Sequence, residues 1–261
     1  MVEIEKLSDQ YIYNDDTYFD DYKYVTNSML KNIRGGSGHN LESYINTTFP
    51  KTKALLLGSA FHCYILEPDE FEKRYVWIPK IDRRTKVGKQ KYEEYLEQAG
   101  DREPVEEMYI DIFEAMETNI YNHPLVRGLL KDSKRETIHF WKDIETGLEC
   151  KGKVDIEGDV FLADLKTTSE RQGASPWKFE EFRTAWSVDQ QGAFYIDGTQ
   201  KKDFYFIMVE LKAPHNVGVY KLSEKSLSNG RSMYREQLID YKEWKEGEVS
   251  TFYNNNKALE V

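Results

Sequence analysis

Three side chains near the middle of the chain are of types and spacing that could do chemistry together. Asp164 and Lys166 stand two apart in Val160-Phe-Leu-Ala-Asp-Leu-Lys-Thr167, and Asp155 ends the preceding Lys153-Val-Asp155. In a strand, residues two apart share a face, so Asp164 and Lys166 project together while Phe161, Ala163 and Leu165 fill the other side. Acidic residues are depleted in strands and costly to bury unless they are paired or hold a metal. Two neighbouring carboxylates repel, and a hard divalent cation that prefers oxygen removes the repulsion. Phosphodiester cleavage needs such a cation, which polarises the phosphoryl oxygen, lowers the pKa of the attacking water and stabilises the departing alkoxide. Lys166 could orient or deprotonate that water, or neutralise charge in the transition state. The spacing equally fits a plain Asp164–Lys166 ion pair on an exposed sheet face, and so short a pattern does not choose.

Other residues extend the set. Gln191 and Tyr195 stand four apart, on one face of a helix, a spacing that ordinary packing also produces. His62 lies in the apolar run Gly58-Ser-Ala-Phe-His62-Cys-Tyr-Ile-Leu-Glu-Pro68, where it is either a satisfied core histidine or a third metal ligand through a neutral imidazole. The segment Lys80–Lys91 carries six basic residues against one acid in a chain of net charge -10. That balance opposes a whole-surface grip on nucleic acid, so phosphate binding would require a local patch such as this one. A solvated loop and helix start is the alternative.

The elements that must position these residues can be read from pattern. Residues 1–24 are acidic and Tyr-rich without periodicity and read as a loosely ordered arm; residues 25–130 read as mostly helical. A short helix is expected after the caps in Val25-Thr-Asn-Ser-Met-Leu, ended by Gly35-Gly-Ser-Gly38, with a second over Asn40–Asn46. Ala54–Leu66 reads as a buried helix stopping before Pro68, and two or three amphipathic helices as filling Lys89–Leu130. From residue 131 to 222 the period changes. Glu136–Trp141, Leu148–Asp155 and Val160–Thr167 alternate between Gly-bearing turns and predict consecutive antiparallel strands. A helix over Ser187–Gly198, strands over Phe204–Leu211 and Val217–Leu222, and a helix over Ser223–Lys245 with a tail complete the reading. One α/β domain over residues 1–261 is the expectation.

Hydrophobic residues are 39% of the 261 and charged residues 31%, enough for a core and unlike a disordered chain. No apolar run approaches the roughly 20 residues that span a bilayer, and the acidic N-terminus lacks the order of a signal peptide, so a cytoplasmic protein without membrane contact is expected. Cys63 and Cys150 are too few for a four-cysteine metal site or a disulfide scaffold.

Taken in order, Gly58-Ser-Ala-Phe-His62, Asp82-Arg-Arg-Thr-Lys86 with Gly88-Lys89, Glu136 before a Trp-bearing strand, Thr146-Gly-Leu-Glu-Cys-Lys151, Asp155, Asp164-Leu-Lys166-Thr-Thr and Gln191-x-x-x-Tyr195 resemble the RecE-type exodeoxyribonucleases of the PD-(D/E)xK superfamily. The resemblance runs from about Thr26 to Trp244. It implies a restriction-endonuclease-like core, a mixed β-sheet of about five strands flanked by helices. By the same resemblance His62, Asp155, Asp164 and the Leu165 carbonyl look like ligands of Mg2+, or of Mn2+ in its place. Lys166 resembles the catalytic lysine, Gln191 and Tyr195 the helix motif beside DNA, and Glu136 an acidic position near the metal. Arg83, Arg84, Lys86 and Lys89 would line a DNA channel. The Pro-Asp dipeptide of the superfamily's name is Val154-Asp155 here, which leaves the carboxylate in place.

The activity implied is degradation of linear duplex DNA from 5′ ends in a phage- or prophage-bearing bacterial host. It would leave 3′ single strands for an annealing partner, from a ring-shaped homo-oligomer. The rivals are a RecB-like single-strand or structure-specific nuclease, whose iron–sulfur form the two cysteines exclude, and a catalytically inactive DNA-binding member of the fold.

Overall fold

The computed structural model describes residues 3–7, 18, 22–34, 37–47, 51–168 and 173–247. Most of the expected N-terminal arm, the Gly35-Gly36 stop and the tail beyond Gly247 therefore lie outside the described residues. In chain order the elements are β1 (Ile4–Lys6), α1 (Asn27–Ile33), α2 (Gly38–Asn46), α3 (Lys53–Leu66), α4 (Pro68–Arg74), β2 (Tyr75–Ile78), α5 (Lys86–Ala99), β3 (Glu103–Glu106), α6 (Ile110–Asn122) and α7 (Pro124–Leu130). They continue with β4 (Lys134–Asp143), β5 (Glu149–Glu157), β6 (Phe161–Thr168), α8 (Pro176–Trp186), α9 (Val188–Thr199), β7 (Asp203–Glu210), β8 (Val217–Lys221) and α10 (Glu224–Lys245).

The sheet runs β1-β4-β5-β6-β7-β8. Its pairs are antiparallel except β6 with β7, because parallel neighbours need a crossover and α8–α9 supply it. The mixed α/β architecture is the one expected, with four additions, one of them the short helix α4 directly after the expected stop before Pro68. Ile4–Lys6 is not loose but pairs with β4 as a sixth strand. β2 and β3 form a small parallel sheet inside the helical region, and α8 precedes the single crossover helix expected.

Helix starts follow their caps: the hydroxyls of Thr26, Thr52, Thr85 and Ser223 accept backbone N–H groups of the first turns of α1, α3, α5 and α10. Pro68, Pro124 and Pro176 open α4, α7 and α8, where the missing N–H costs nothing. Each face of the sheet is covered. Met29, Leu30 and Ile33 of α1, Phe194 of α9 and Leu227 and Leu238 of α10 pack with Leu162, Phe204 and Phe206. On the other face Phe61 of α3, Phe113 and Met116 of α6 and Val126 of α7 pack with Ile156, Ala163, Leu165 and Ile207. A Cβ on Gly230 would sit 2.1 Å from the Asp189 carbonyl oxygen, so glycine lets α10 press against the start of α9. No described helix is long and apolar enough to cross a membrane.

Candidate active site and metal centre

The site forms where the period of the strands breaks. Val154 packs against the α9 face of the sheet, yet Ile156, two residues on, packs against the α3 face, so regular alternation fails between them. Across the ladder, Arg135↔Ile156 and Thr137↔Val154 place Glu136 opposite Asp155. Glu136 takes a left-handed φ of 51°, which costs a non-glycine residue on the order of 1 kcal/mol and persists only where the surroundings impose it. β5 and β6 pair at Ile156↔Ala163 and Glu157↔Leu162. Beyond them the Asp155 Oδ2 accepts the Leu165 backbone N–H at 2.8 Å.

α3, apolar toward the sheet, carries His62 over this break. Its Nε2 lies 2.8 Å from Asp155 Oδ2 and its Nδ1 3.3 Å from Glu136 Oε1. The ligand atoms of His62, Glu136 and Asp155 all lie within 4.8 Å of one another. Lys153 reaches Glu136 Oε2 at 2.6 Å. Asp164, 3% exposed, is held at Oδ2 by Lys166 (2.6 Å) and accepts at Oδ1 from the Gln191 amide (2.6 Å).

The electrostatics follow from crowding charge away from water. Burial opposes charge on His62, but Asp155 and Glu136 raise it to about 9. Burial, then the Asp155 charge, pushes Asp164 up to about 6 against the pull of Lys166. Glu136 is raised by burial, whereas His62 and Lys166 keep Asp155 below the usual carboxylate range despite its enclosure. Lys166 is driven the opposite way by burial and is raised by the two aspartates. Burial and the nearby Lys166 lower Lys31 to about 8.

Two buried oxygens, Glu136 Oε1 and Asp164 Oδ2, accept no well-aligned hydrogen bond although His62 and Lys166 stand close by. Buried acceptors in that condition cost about 1–3 kcal/mol each unless something else satisfies them. One imidazole and a set of carboxylate oxygens suit a hard divalent cation such as Mg2+ or Mn2+, so the residues present fit a metal. They sit in a cleft of about 800 Å³ whose walls include Lys31 of α1, Lys151 and Lys153 of β5, Arg74 of α4 and Trp186 at the end of α8.

Residues 26–257 match the family described as a PDDEXK-like domain of unknown function, DUF3799. The chain belongs to that family. No curated protein sequence matches it. Among solved structures, a provisionally assigned exonuclease from Eubacterium rectale superposes with a TM-score of 0.68 at 16% identity, covering 96% of each chain. A phage-related exonuclease from Haemophilus somnus (TM-score 0.40, 15% identity, 87% of this chain and 96% of that one) is far looser. So is an alkaline exonuclease from Laribacter hongkongensis (0.35, 10%, 86% and 92%). Of the three, only the first is close enough to bear on the fold.

For this PDDEXK-like chain the structure brings His62, Glu136, Asp155, Asp164, Leu165, Lys166, Gln191 and Tyr195 to one cleft. The tight three-residue group holds Glu136 where the resemblance put Asp164 among the ligands; Asp164 instead faces Lys166 and Gln191. Leu165 presents its N–H to Asp155. Tyr195 lies against Gly152, where a Cβ would come within 2.9 Å of its ring. Arg83, Arg84, Lys86 and Lys89 do not line the cleft. They are exposed at the start of α5, with Arg84 held by Asp82 at 2.8 Å and Arg83 stacked 4.6 Å over Tyr92. Lys31, Lys151, Lys153 and Trp186 were not anticipated. The Lys151-x-Lys153-x-Asp155 alternation on one strand was the available signal for two of them.

Proposed function

We propose that this chain is a divalent-metal-dependent DNA exonuclease. The observation that carries the reading is the convergence of His62, Glu136 and Asp155 with the Asp164–Lys166 pair in one cleft of a PDDEXK-like fold. His62, Asp155 and Asp164, with Glu136 beside them, would hold Mg2+ or Mn2+, which when bound polarises the scissile phosphate and activates water. Lys166, 2.6 Å from Asp164, would orient the attacking water or meet charge on the phosphoryl oxygens. Gln191 fixes Asp164 from the helix side. Lys31 and Lys153 would offset the phosphate charge of an entering strand, while Lys151 is buried against Tyr18. We carry from the RecE-type resemblance cleavage of linear duplex from 5′ ends, a 3′ strand left for an annealing partner in recombination, a ring-shaped oligomer and residence in the bacterial cytoplasm.

The deciding experiment incubates the protein with and without Mg2+ on linear duplexes labelled at either end, beside a closed circle and an Asp164→Ala variant. Early release of 5′-labelled mononucleotides, lost with EDTA and in the variant, is the expected result. Cutting of the circle would redirect the assignment to an endonuclease, and binding without cleavage to an inactive DNA-binding member.

A further inference from the structure

Trp186 is 55% exposed at the C-terminal end of α8 and forms part of the cleft wall. Single exposed aromatics are ordinary on protein surfaces, but this one is unusually fixed. Lys31 of α1 donates from Nζ to its carbonyl at 2.6 Å, and Arg34 donates to the Ser187 hydroxyl at 2.9 Å. Both bonds cross more than 150 residues of sequence. Ser187 itself lies in the left-handed region, φ 48° and ψ 47°, a conformation that a serine holds only when neighbours enforce it. The turn it makes sets α8 against α9, so Trp186 projects at the rim five residues before Gln191, which holds Asp164. Phe182 backs the indole at 6.4 Å between ring centroids and also lines the cleft.

An exposed indole on a pinned stretch of backbone, beside lysines and next to the proposed phosphate-cleaving centre, matches the way sequence-tolerant sites take single strands. There the backbone runs along cations while a base stacks on an aromatic ring. We propose that Trp186 is a stacking platform for an unpaired nucleobase of the strand entering the cleft, so that the site takes a frayed strand end rather than a fully paired one. This inference rests on the nucleic-acid reading of the cleft. It makes Trp186 a specificity-determining residue, and it gives Lys31 and Arg34 a positioning part through the backbone they hold.

The test is binding without cleavage. The full chain, in EDTA, is titrated into a short single-stranded oligonucleotide carrying 2-aminopurine at one end or the other, and into a blunt hairpin of the same sequence. Base–aromatic stacking changes affinity by roughly 5- to 150-fold. Trp186→Ala is therefore expected to bind the single strand about tenfold more weakly and to lose the fluorescence change of the stacked base. Trp186→Phe, which keeps an aromatic face, stays within about threefold by the same reasoning. Trp177→Ala is the control: Trp177 is 62% exposed on the same helix but does not line the cleft, and its loss should change nothing. Unchanged single-strand binding by Trp186→Ala, an equal loss on the hairpin, or an equal loss in Trp177→Ala would each overturn the proposal. A wild type that binds in this way yet cuts no DNA with Mg2+ would sink the nuclease assignment and leave the platform standing. A wild type that cuts while Trp186→Ala binds normally would do the reverse.

Discussion

Asp164→Asn should make the metal-free protein more stable while abolishing its chemistry. Asp164 is buried, and burial together with the Asp155 charge moves it to about 6 from an ordinary 3.8. A group whose folded pKa is raised is no burden below its unfolded pKa, and its ionisation opposes the fold increasingly as pH rises through the folded value. At about 1.4 kcal/mol per tenfold change in proton affinity, the ionised carboxylate costs the fold about 3 kcal/mol at pH 8. Asparagine has the shape of the protonated acid and can still face Gln191. The variant should therefore gain about 3 kcal/mol at pH 8, a rise in Tm of roughly 6–12 °C for a chain of this size. The gain should shrink toward zero as pH falls below about 4. The assay is thermal unfolding of both proteins in EDTA at several pH values, repeated with Mg2+. Bound cation should raise the wild-type Tm by mass action and the variant far less. A variant less stable than wild type at pH 8, or a gain that is the same at pH 4, would refute the electrostatic account of the site.

Three further outcomes are expected. Replacing Arg83, Arg84, Lys86 and Lys89 together with Ala should weaken DNA binding and flatten its log–log salt dependence by up to roughly 3–4 in slope, and an unchanged slope removes them from the DNA path. Glu157 is opposed by burial but held at about 2 by Lys201 at 3.0 Å and His139 at 2.9 Å. Its depressed pKa contributes stability that is fully present above about 4.5 and lost as pH falls toward 2. Glu157→Gln should then lose about 1–2 kcal/mol at pH 7, after allowance for solvent screening of a partly buried group, and show a shallower acid limb in denaturant titrations. Gly230→Ala would drive a methyl to 2.1 Å from the Asp189 carbonyl, backbone that cannot swing aside. A loss of about 2 kcal/mol or more in urea unfolding should result, together with reduced cleavage, since α9 also carries Gln191.

What the sequence could disclose divides along local and non-local lines. The hairpins of β4, β5 and β6, the β7–β8 pair and helices α3, α9 and α10 each declare themselves within about a dozen residues by period, turn and cap. Ile4–Lys6 could not: a three-residue strand has too little pattern to read, and its place is set by pairing with Lys142 and its neighbours far along the chain. β3 is hidden by Pro104, a residue that demotes a strand in any local reading. α8 does carry a local start signal, Ser175-Pro176. Within the site, Asp164 and Lys166 are legible because two-residue spacing puts them on one face of β6, and Asp155 because a short turn brings β5 alongside. Glu136 was legible only through resemblance. It sits where alternation fails, and a left-handed φ at a glutamate has no signature in one sequence. The parts played by Lys31 and Trp186 depend on α1 and α8 meeting over the cleft, a contact 155 residues apart.

On the proposed nuclease function, the same geometry accounts for how a chain of net charge -10 would draw in a polyanion. Among the described residues that line the cleft, Lys31, Arg74, Lys151, Lys153 and Lys166 outnumber Glu67, Glu136, Asp155 and Asp164 by one, so the balance of sign reverses there. The acidic exterior repels a phosphate backbone only within about a Debye length, roughly 8–10 Å at physiological salt, and is largely screened beyond it. Inside the cleft, low-dielectric walls concentrate the field of the lysines. Glu67 is paired with Arg74, and Glu136, Asp155 and Asp164 are the more buried carboxylates, whose charge a divalent cation would offset. A strand end small enough to enter feels a net positive site, while the flank of an intact duplex feels mainly the acidic surface. Charge distribution thus favours strand ends over duplex sides before any base is read, the same preference that Trp186 at the rim would sharpen.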